Sequence, residues 1–151
     1  MAQRLEGKVA VITGASAGIG LATAKRFVQE GLDQVFITGR HKDALQRAAA
    51  EIGRNVTAVQ GDVANLSDLD RLYDAVKKQD RKIDVIFANA GISLLAPLNA
   101  VDEKFFDLHF DANVKGLFFT VQKALPLLKD GAAILLNGSI ATIKGFPETS
   151  V

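Results

Sequence analysis

The sequence predicts a three-layer α/β/α domain built on an open, doubly wound parallel sheet. Short apolar segments alternate with helical patterns along all 151 residues, and such alternation is typical of repeated strand–helix units. Most of these segments are nearly continuous in hydrophobicity, which is the pattern of parallel strands in a sheet with helices on both faces. No internal repeat, low-complexity segment or linker interrupts the alternation, so we expect a single domain over residues 1–151.

Five segments have the length of strands. They are residues 9–13, 35–38, 56–59, 83–88 and 133–136. All but the third are almost wholly apolar. A helical pattern between each pair of strands makes the crossovers right-handed and the sheet parallel. We therefore predict a Rossmann-type strand order, 3-2-1-4-5.

Helical periodicity is visible in the intervals between the strands. One apolar stripe consists of Gly20, Ala24, Phe27, Val28 and Gly31. Another consists of Leu69, Leu72, Tyr73 and Val76. Gly31 is a natural stop for the first helix, and Ser67 is expected to cap the helix that carries the second stripe. Asp102 is expected to cap a long helical segment that contains Pro126 near its end and reaches Lys129.

Composition excludes several classes of function. The net charge of +1 gives no electrostatic reason to expect nucleic acid or an anionic membrane as a partner. The chain has no cysteine and only two histidines, His41 and His109, so we expect no metal site. The polar N-terminus carries no signal-peptide pattern, and no stretch approaches the ~20 apolar residues of a membrane span. The expected location is the cytoplasm.

A glycine-rich turn follows the first strand and opens the first helix. Gly14, Gly18 and Gly20 are spaced as G-x-x-x-G-x-G, and the residues between them include Ser16, Ala17 and Ile19. Glycines permit a sharp turn, and a helix N-terminus offers unpaired N–H groups to a pyrophosphate. A plain loop is the alternative, but the position between strand and helix favours dinucleotide binding. No Lys-Ser or Lys-Thr follows the last glycine, which disfavours an NTPase phosphate loop.

The end of the second strand carries the residue expected to select the cofactor. Dinucleotide-binding folds contact the adenosine ribose there, and an acidic side chain selects NAD through the 2′-hydroxyl. Here the first charged residue is Arg40, whose guanidinium suits a 2′-phosphate. NADP(H) is therefore favoured. NAD(H) stays open because Asp43 is close in sequence, and the same charges are also compatible with a solvated helix start.

With these motifs in order, the chain resembles the short-chain dehydrogenase/reductase family over its whole length. The turn at residues 13–20 looks like the cofactor turn of that family. The segments that extend the resemblance are Asp62-Val63 after the third strand, Asn89-Ala90-Gly91 after the fourth, Asn113 within a helix and Ser139 after the fifth. They follow successive strands, whose carboxyl ends bind ligands in open α/β sheets.

The resemblance implies hydride transfer between a nicotinamide and a carbonyl or secondary alcohol. It implies that Asp62 accepts from the adenine, that Asn89, Ala90 and Gly91 shape the cleft, and that Ser139 binds the substrate oxygen. It assigns Asn113 to a water-linked proton relay. The Y-x-x-x-K motif of the family would follow Ser139 by roughly a dozen residues, where the sequence ends.

We therefore expect residues 1–151 to be a dinucleotide-binding domain that is incomplete on its C-terminal side and inactive alone. The fifth strand would be a bare apolar edge. Tyr73 belongs to an apolar helix stripe and does not replace the missing tyrosine, and His109 is assigned to packing. The phenylalanines Phe105, Phe106, Phe110, Phe118 and Phe119 are expected in the core or at a subunit interface, in a homodimer or homotetramer.

Other interpretations stay open at this point. Asp62 could simply begin a turn before the next helix. A non-catalytic nucleotide-binding regulatory module on the same scaffold would carry the same glycine turn. A methyltransferase-like nucleotide-binding domain is a further alternative, although Arg40 and the Asn-Ala-Gly segment argue against it.

Overall fold

The five predicted strands form one parallel sheet in the order β3-β2-β1-β4-β5. This architecture was obtained as a computed structural model that describes residues 4–151. The strands are β1 Val9–Thr13, β2 Gln34–Gly39, β3 Val56–Gln60, β4 Ile83–Ala88 and β5 Leu128–Leu136. The predicted Rossmann-type order is confirmed, and the two central strands, β1 and β4, are buried along their whole length.

Helices cover both faces of the sheet, which confirms the three-layer prediction. The helices are α1 Gly18–Gln29, α2 Lys42–Ile52, α3 Leu66–Lys77, α4 Glu103–Phe110 and α5 Gly116–Ala124. On one face, α1 and α2 pack on alternate residues of the strands through Ala24, Val28 and Leu45. On the other face, α3 and α5 pack on the remaining alternate residues through Leu72 and Ala124. The strands are apolar on both faces because both faces are covered.

Two predictions about the helices are wrong. The cap of α3 is Asn65 rather than Ser67, because the Asn65 side chain accepts a hydrogen bond from the Ser67 N–H at 3.1 Å. The long helix predicted to reach Lys129 is divided by a π-helical turn at residues 111–115 and ends at residue 124. Pro126 lies in the 3₁₀ turn that follows, because proline lacks the N–H that a continuing helix needs. The predictions that Asp102 caps α4 and that Gly31 follows the end of α1 in a left-handed conformation are confirmed.

The fifth strand begins earlier than predicted and lies at an exposed edge. Its pairing with β4 starts at Leu128 opposite Ile83, and an irregularity in the register follows. Three consecutive apolar side chains near its end, Ile134, Leu135 and Leu136, are between 41% and 57% exposed. The expectation of a bare apolar edge is confirmed. Among the described helices, none is both long and apolar enough to cross a membrane.

Two buried polar groups tie distant parts of the chain together. Asp84, in β4, accepts hydrogen bonds from the Val9 N–H at 3.0 Å and from Lys8 Nζ at 3.2 Å. Burial works to raise the pKa of Asp84, but the Val9 hydrogen bond and the Lys8 ammonium together hold that pKa below its ordinary value. Tyr73, in α3, donates its hydroxyl proton to the Thr120 carbonyl in α5, and burial raises the pKa of this phenol.

A candidate dinucleotide-binding cleft

A cleft opens at the carboxyl ends of β1, β2, β3 and β4, where an open parallel sheet binds its ligands. Its lining consists of Gly14, Ser16, Ala17, Thr38, Gly39, Arg40, His41, Gly61, Asp62, Val63, Ala90, Gly91, Ile92 and Ala112. Eight of the twelve cofactor residues predicted from the sequence are in this set. The other four are Gly18, Ile19, Gly20 and Asn89, and they belong to the turn and the strand end behind it.

The glycine turn leaves no space for side chains at two of its three glycines. A Cβ on Gly14 would lie 2.8 Å from the Ala90 Cα, and one on Gly20 would lie 2.5 Å from the Gly14 carbonyl oxygen. Gly14 and Gly18 also have φ angles of +66° and +56°, which L side chains rarely adopt. The turn is therefore held tightly against the end of β4, and its backbone forms the floor of the cleft.

The first turn of α1 begins without a side-chain cap. The residue before the helix is Ala17, whose side chain makes no capping hydrogen bond, and no acidic residue lies in the first turn. The first N–H groups of a helix have no partner within the helix. Together with the helix dipole they favour an anionic group here. Ser16 contributes a hydroxyl at the same rim and packs against Gly39, where a Cβ would lie 2.8 Å from Ser16 Oγ.

A partly buried hydrogen-bond network connects the ends of β1 and β4. Asn89 Nδ2 donates to the carbonyl oxygens of Thr13 and Gly14 at 3.0 and 3.2 Å. Thr13 Oγ1 accepts from the backbone N–H groups of Asn89 and Ala90 at 3.1 and 3.0 Å. The role of Thr13 was not predicted. Its position as the last residue of a buried strand, directly before a glycine, is the signal that could have found it.

The second wall of the cleft carries the basic residues. Arg40 and His41 follow β2, and the Arg40 carbonyl accepts from Gln60 Nε2 at 3.0 Å. The Arg40 side chain is exposed. Within residues 4–151, no carboxylate forms an ion pair with its guanidinium. A guanidinium in that state can bind an anion in the cleft without first breaking an internal pair.

The corner after β3 is a hydrogen-bonded turn. Asp62 Oδ1 accepts from the Ala64 N–H at 3.0 Å, and the Asp62 N–H donates to Asp68 Oδ2 at 2.8 Å. Asp62 therefore both stabilises the turn and lines the cleft. Asp68 was not predicted; its Cβ would lie 2.9 Å from a Cβ on Gly61. Val63 is buried against the helix glycine Gly116, and the sequence did not suggest that contact.

Asn113 holds the loop after β4 and is not in the cleft lining. In the π-helical turn, its Oδ1 accepts from the Ile92 N–H and its Nδ2 donates to the Ile92 carbonyl, both at 2.9 Å. The amide thus pairs with the backbone of one loop residue as a neighbouring strand would. Ile92 lines the cleft, so Asn113 acts on the cleft through that loop.

Ser139 lies in the loop after β5, outside the cleft lining. Its Oγ accepts from the Ala141 N–H at 3.1 Å and caps a short 3₁₀ turn. Two residues earlier, Asn137 Nδ2 donates to Asn89 Oδ1 at 2.9 Å, which ties this loop to the end of β4. Tyr73 is in the core on α3, as predicted.

Comparison with known protein families and sequences identifies the relatives of the chain. A sequence profile described as short chain dehydrogenase matches residues 8–151. The chain belongs to the short-chain dehydrogenase family. This confirms the resemblance inferred from the motifs. Relatives of the chain are named as an oxidoreductase and a reductase, which agrees with the expected class of enzyme.

Three relatives illustrate the match. Oxidoreductase asL5 from Sarocladium schorii is 48% identical over 151 residues, covering 99% of this chain and 60% of that protein. Versicolorin reductase stcU from Emericella nidulans is 33% identical, covering 98% and 58%. A crystal structure of 3-ketoacyl-(acyl-carrier-protein) reductase from Brucella melitensis complexed with NADH is 33% identical with a TM-score of 0.89, covering 97% of this chain and 62% of that chain. The chain spans about three fifths of the length of these proteins.

Proposed function

We propose that the cleft binds NADP(H) and that the protein is an oxidoreductase acting on a carbonyl or secondary alcohol. The observation that carries the cofactor choice is Arg40, an exposed guanidinium at the end of β2 without a carboxylate partner among the described residues. A guanidinium pairs with a 2′-phosphate through charge-assisted hydrogen bonds and gains little from a 2′-hydroxyl. NAD(H) is the alternative, and the related Brucella reductase was crystallised with NADH.

The remaining walls of the cleft suit the other parts of a dinucleotide. The uncapped start of α1 and the glycine floor suit a pyrophosphate, because no side chain separates it from the backbone N–H groups. Asp62 has one carboxylate oxygen beyond the bond that it accepts from Ala64, and this oxygen suits an adenine amino group. When bound, the dinucleotide would supply or accept the hydride.

We assign Ser139 to the substrate oxygen and Asn113 to the proton relay, following the family to which the chain belongs. The two hydrogen bonds between the Asn113 amide and the Ile92 backbone support a structural contribution of Asn113 to that relay. Ser139 follows β5 at the same edge of the sheet as the glycine turn, since parallel strands end on one side. A substrate bound there would lie beside exposed apolar side chains, including Leu94 and Ile140.

The cofactor preference is tested with Arg40→Ala. Losing one charge-assisted contact costs about 1.5 kcal/mol or more, so the affinity for NADPH should fall about tenfold while the affinity for NADH changes little. Titration calorimetry on the chain measures both. Arg47→Ala is the matched control, because Arg47 is an exposed arginine of the helix that follows Arg40 and does not line the cleft. An unchanged ratio of NADPH to NADH affinity in Arg40→Ala would contradict the 2′-phosphate contact.

The substrate role of Ser139 is tested by Ser139→Ala in a preparation that reduces a carbonyl measurably. Removing the hydroxyl should lower kcat by about a hundredfold, the lower end of what one stabilising donor contributes, and leave the NADPH affinity unchanged. Steady-state kinetics and a separate binding titration give the two numbers. Equal losses in turnover and cofactor affinity would mean that Ser139 supports the fold of the cleft instead.

We also propose that the protein is a homodimer or homotetramer in the cytoplasm. The support for an assembly is the exposure of apolar rings on α4 and α5, where Phe106, Phe110 and Phe118 are each more than 40% exposed. Analytical ultracentrifugation tests the oligomer, and a strictly monomeric protein would overturn it.

A further inference from the structure

His109 is a buried histidine that the proposed reaction does not use. It lies near the end of α4, is 4% exposed, and faces the loop that leaves β4. The Leu94 N–H donates to His109 Nε2 at 3.1 Å, and His109 Nδ1 lies 2.9 Å from the Phe105 carbonyl oxygen. The imidazole therefore joins its own helix to the loop through both of its nitrogens.

The two neighbours determine where the ring proton lies. A carbonyl oxygen only accepts and a backbone N–H only donates, so Nδ1 carries the proton and Nε2 offers its lone pair. The ring is thus the neutral Nδ1–H tautomer. The other neutral tautomer and the imidazolium both place an N–H against the Leu94 N–H. The Phe105 ring packs against the imidazole with centroids 4.6 Å apart, which further restricts the orientation of the ring.

The loop held by His109 forms one wall of the cleft. Ala90, Gly91 and Ile92 line the cleft, and Leu94 follows two residues later. Asn113, one helical turn beyond His109, pairs with the Ile92 backbone. Two side chains four residues apart therefore hold alternate residues of the same loop, and His109 provides the outer of the two attachments.

We propose that His109 is a positioning residue that, as the neutral Nδ1–H tautomer, fixes the loop of residues 90–94 against α4. Its link to cofactor binding rests on the proposed function. Its link to the loop does not, because the hydrogen bond between Leu94 and His109 involves no ligand atom.

The loop attachment is tested by amide hydrogen exchange in solution NMR, without any ligand. In His109→Leu, which removes the acceptor, exchange at the Leu94 N–H should accelerate at least tenfold, while the Phe36 N–H in the central sheet keeps its protection. His109→Gln retains an acceptor, because its amide oxygen can reach about the position of His109 Nε2, and it should restore most of the protection. Lys104→Gln, at an exposed position of α4, is the control and should change neither amide.

The ring itself gives a spectroscopic readout. The ¹⁵N shifts of the two His109 nitrogens should be those of the Nδ1–H tautomer, with Nε2 unprotonated. A protonated Nε2 would overturn the proposal, and so would unchanged exchange at Leu94 in a folded His109→Leu variant. If His109→Leu unfolds, His109→Gln and the ¹⁵N shifts of the unmodified protein still decide it.

The link to the cleft is measured by NADPH titration of the same variants. His109→Leu should weaken NADPH binding about three- to tenfold, and His109→Gln should recover most of the affinity. Faster exchange at Leu94 with unchanged NADPH affinity would overturn the link between the loop and the cofactor. If the unmodified chain does not bind NADPH at all, the proposed function fails, whereas the exchange and ¹⁵N data still decide the role of His109.

Discussion

Replacement of Gly20 by alanine should damage both the fold and the cofactor cleft. A Cβ there would lie 2.5 Å from the Gly14 carbonyl oxygen, 2.8 Å from Asn89 Nδ2 and 2.9 Å from the Ala15 Cα. Ordinary contacts of carbon begin at about 3.5 Å, so α1 would have to move away from the turn by ~1 Å. Two of the three atoms belong to the backbone of the turn, which cannot rotate away as a side chain can.

The expected cost follows from two opposing terms. Overpacking of a well-packed site costs about 1–3 kcal/mol, and the higher helix propensity of alanine returns about 1 kcal/mol. We therefore expect Gly20→Ala to lower the free energy of unfolding by up to about 2 kcal/mol. The displaced turn carries the N–H groups that face the cleft, so NADPH affinity should fall at least tenfold, or about 1.4 kcal/mol.

Urea denaturation and NADPH titration on the same variant measure the two losses. Gly53→Ala is the control, because Gly53 has a positive φ of +91°, has open space within 4 Å of the point that a Cβ would occupy, and lies at the far end of α2 from the cleft. It should lose about 1–3 kcal/mol of stability because of its strained backbone, with unchanged NADPH affinity. A Gly20→Ala protein with normal stability and normal NADPH affinity would refute the reasoning from close packing.

Two further predictions concern the buried polar groups. Tyr73→Phe should lower the free energy of unfolding by about 1–2 kcal/mol, because the Thr120 carbonyl loses its donor. Burial also raises the pKa of Tyr73, so the native state favours the neutral phenol. The free energy of unfolding should therefore fall as the pH rises above 10.0. Asp84→Asn should also cost about 1–2 kcal/mol at neutral pH. Since the native pKa of Asp84 is lowered, this difference should persist above pH 3.8 and shrink as the pH falls through the lowered native pKa.

Both predictions have direct controls. Tyr73 is the only tyrosine in the chain, so the ultraviolet signal of tyrosinate reports it alone, and ionisation of the native protein at pH 10.0 would contradict the burial argument. For Asp84, urea unfolding of wild type and Asp84→Asn is compared from neutral to acid pH. Asp74→Asn, an exposed acid of α3, should show no comparable difference, and a constant Asp84 effect down to the lowest pH would exclude the linkage.

The order of the sheet could be predicted because each of its elements is encoded locally. Buried parallel strands are apolar throughout, and β1 and β4 match their predicted bounds at residues 9–13 and 83–88. The start of β5 could not be predicted, because Lys129 was assigned to the end of the preceding helical segment, and Asp130 and Gly131 interrupt the apolar pattern of a buried strand. Their pairing depends on β4, a strand more than forty residues away.

The residues of the candidate site also fall into those encoded by the neighbouring sequence and those that depend on the folded chain. The positions of Gly14, Gly20 and Arg40 after β1 and β2 could be predicted, because a turn or a charge at a strand end is visible in the neighbouring sequence. The contributions of Thr13 and Asp68 could not, because their bonds to Asn89 and Asp62 arise only when the chain is folded.

Asn89 does not line the cleft, but it holds together the elements that do. Its amide donates to Thr13 and Gly14, and its carbonyl oxygen accepts from Asn137. One side chain thus joins the ends of β1, β4 and β5, the strands that carry the glycine turn, the cleft wall and the Ser139 loop. A change at Asn89 would displace all three at once, so its importance to the cleft follows from being the junction and requires no contact with a ligand.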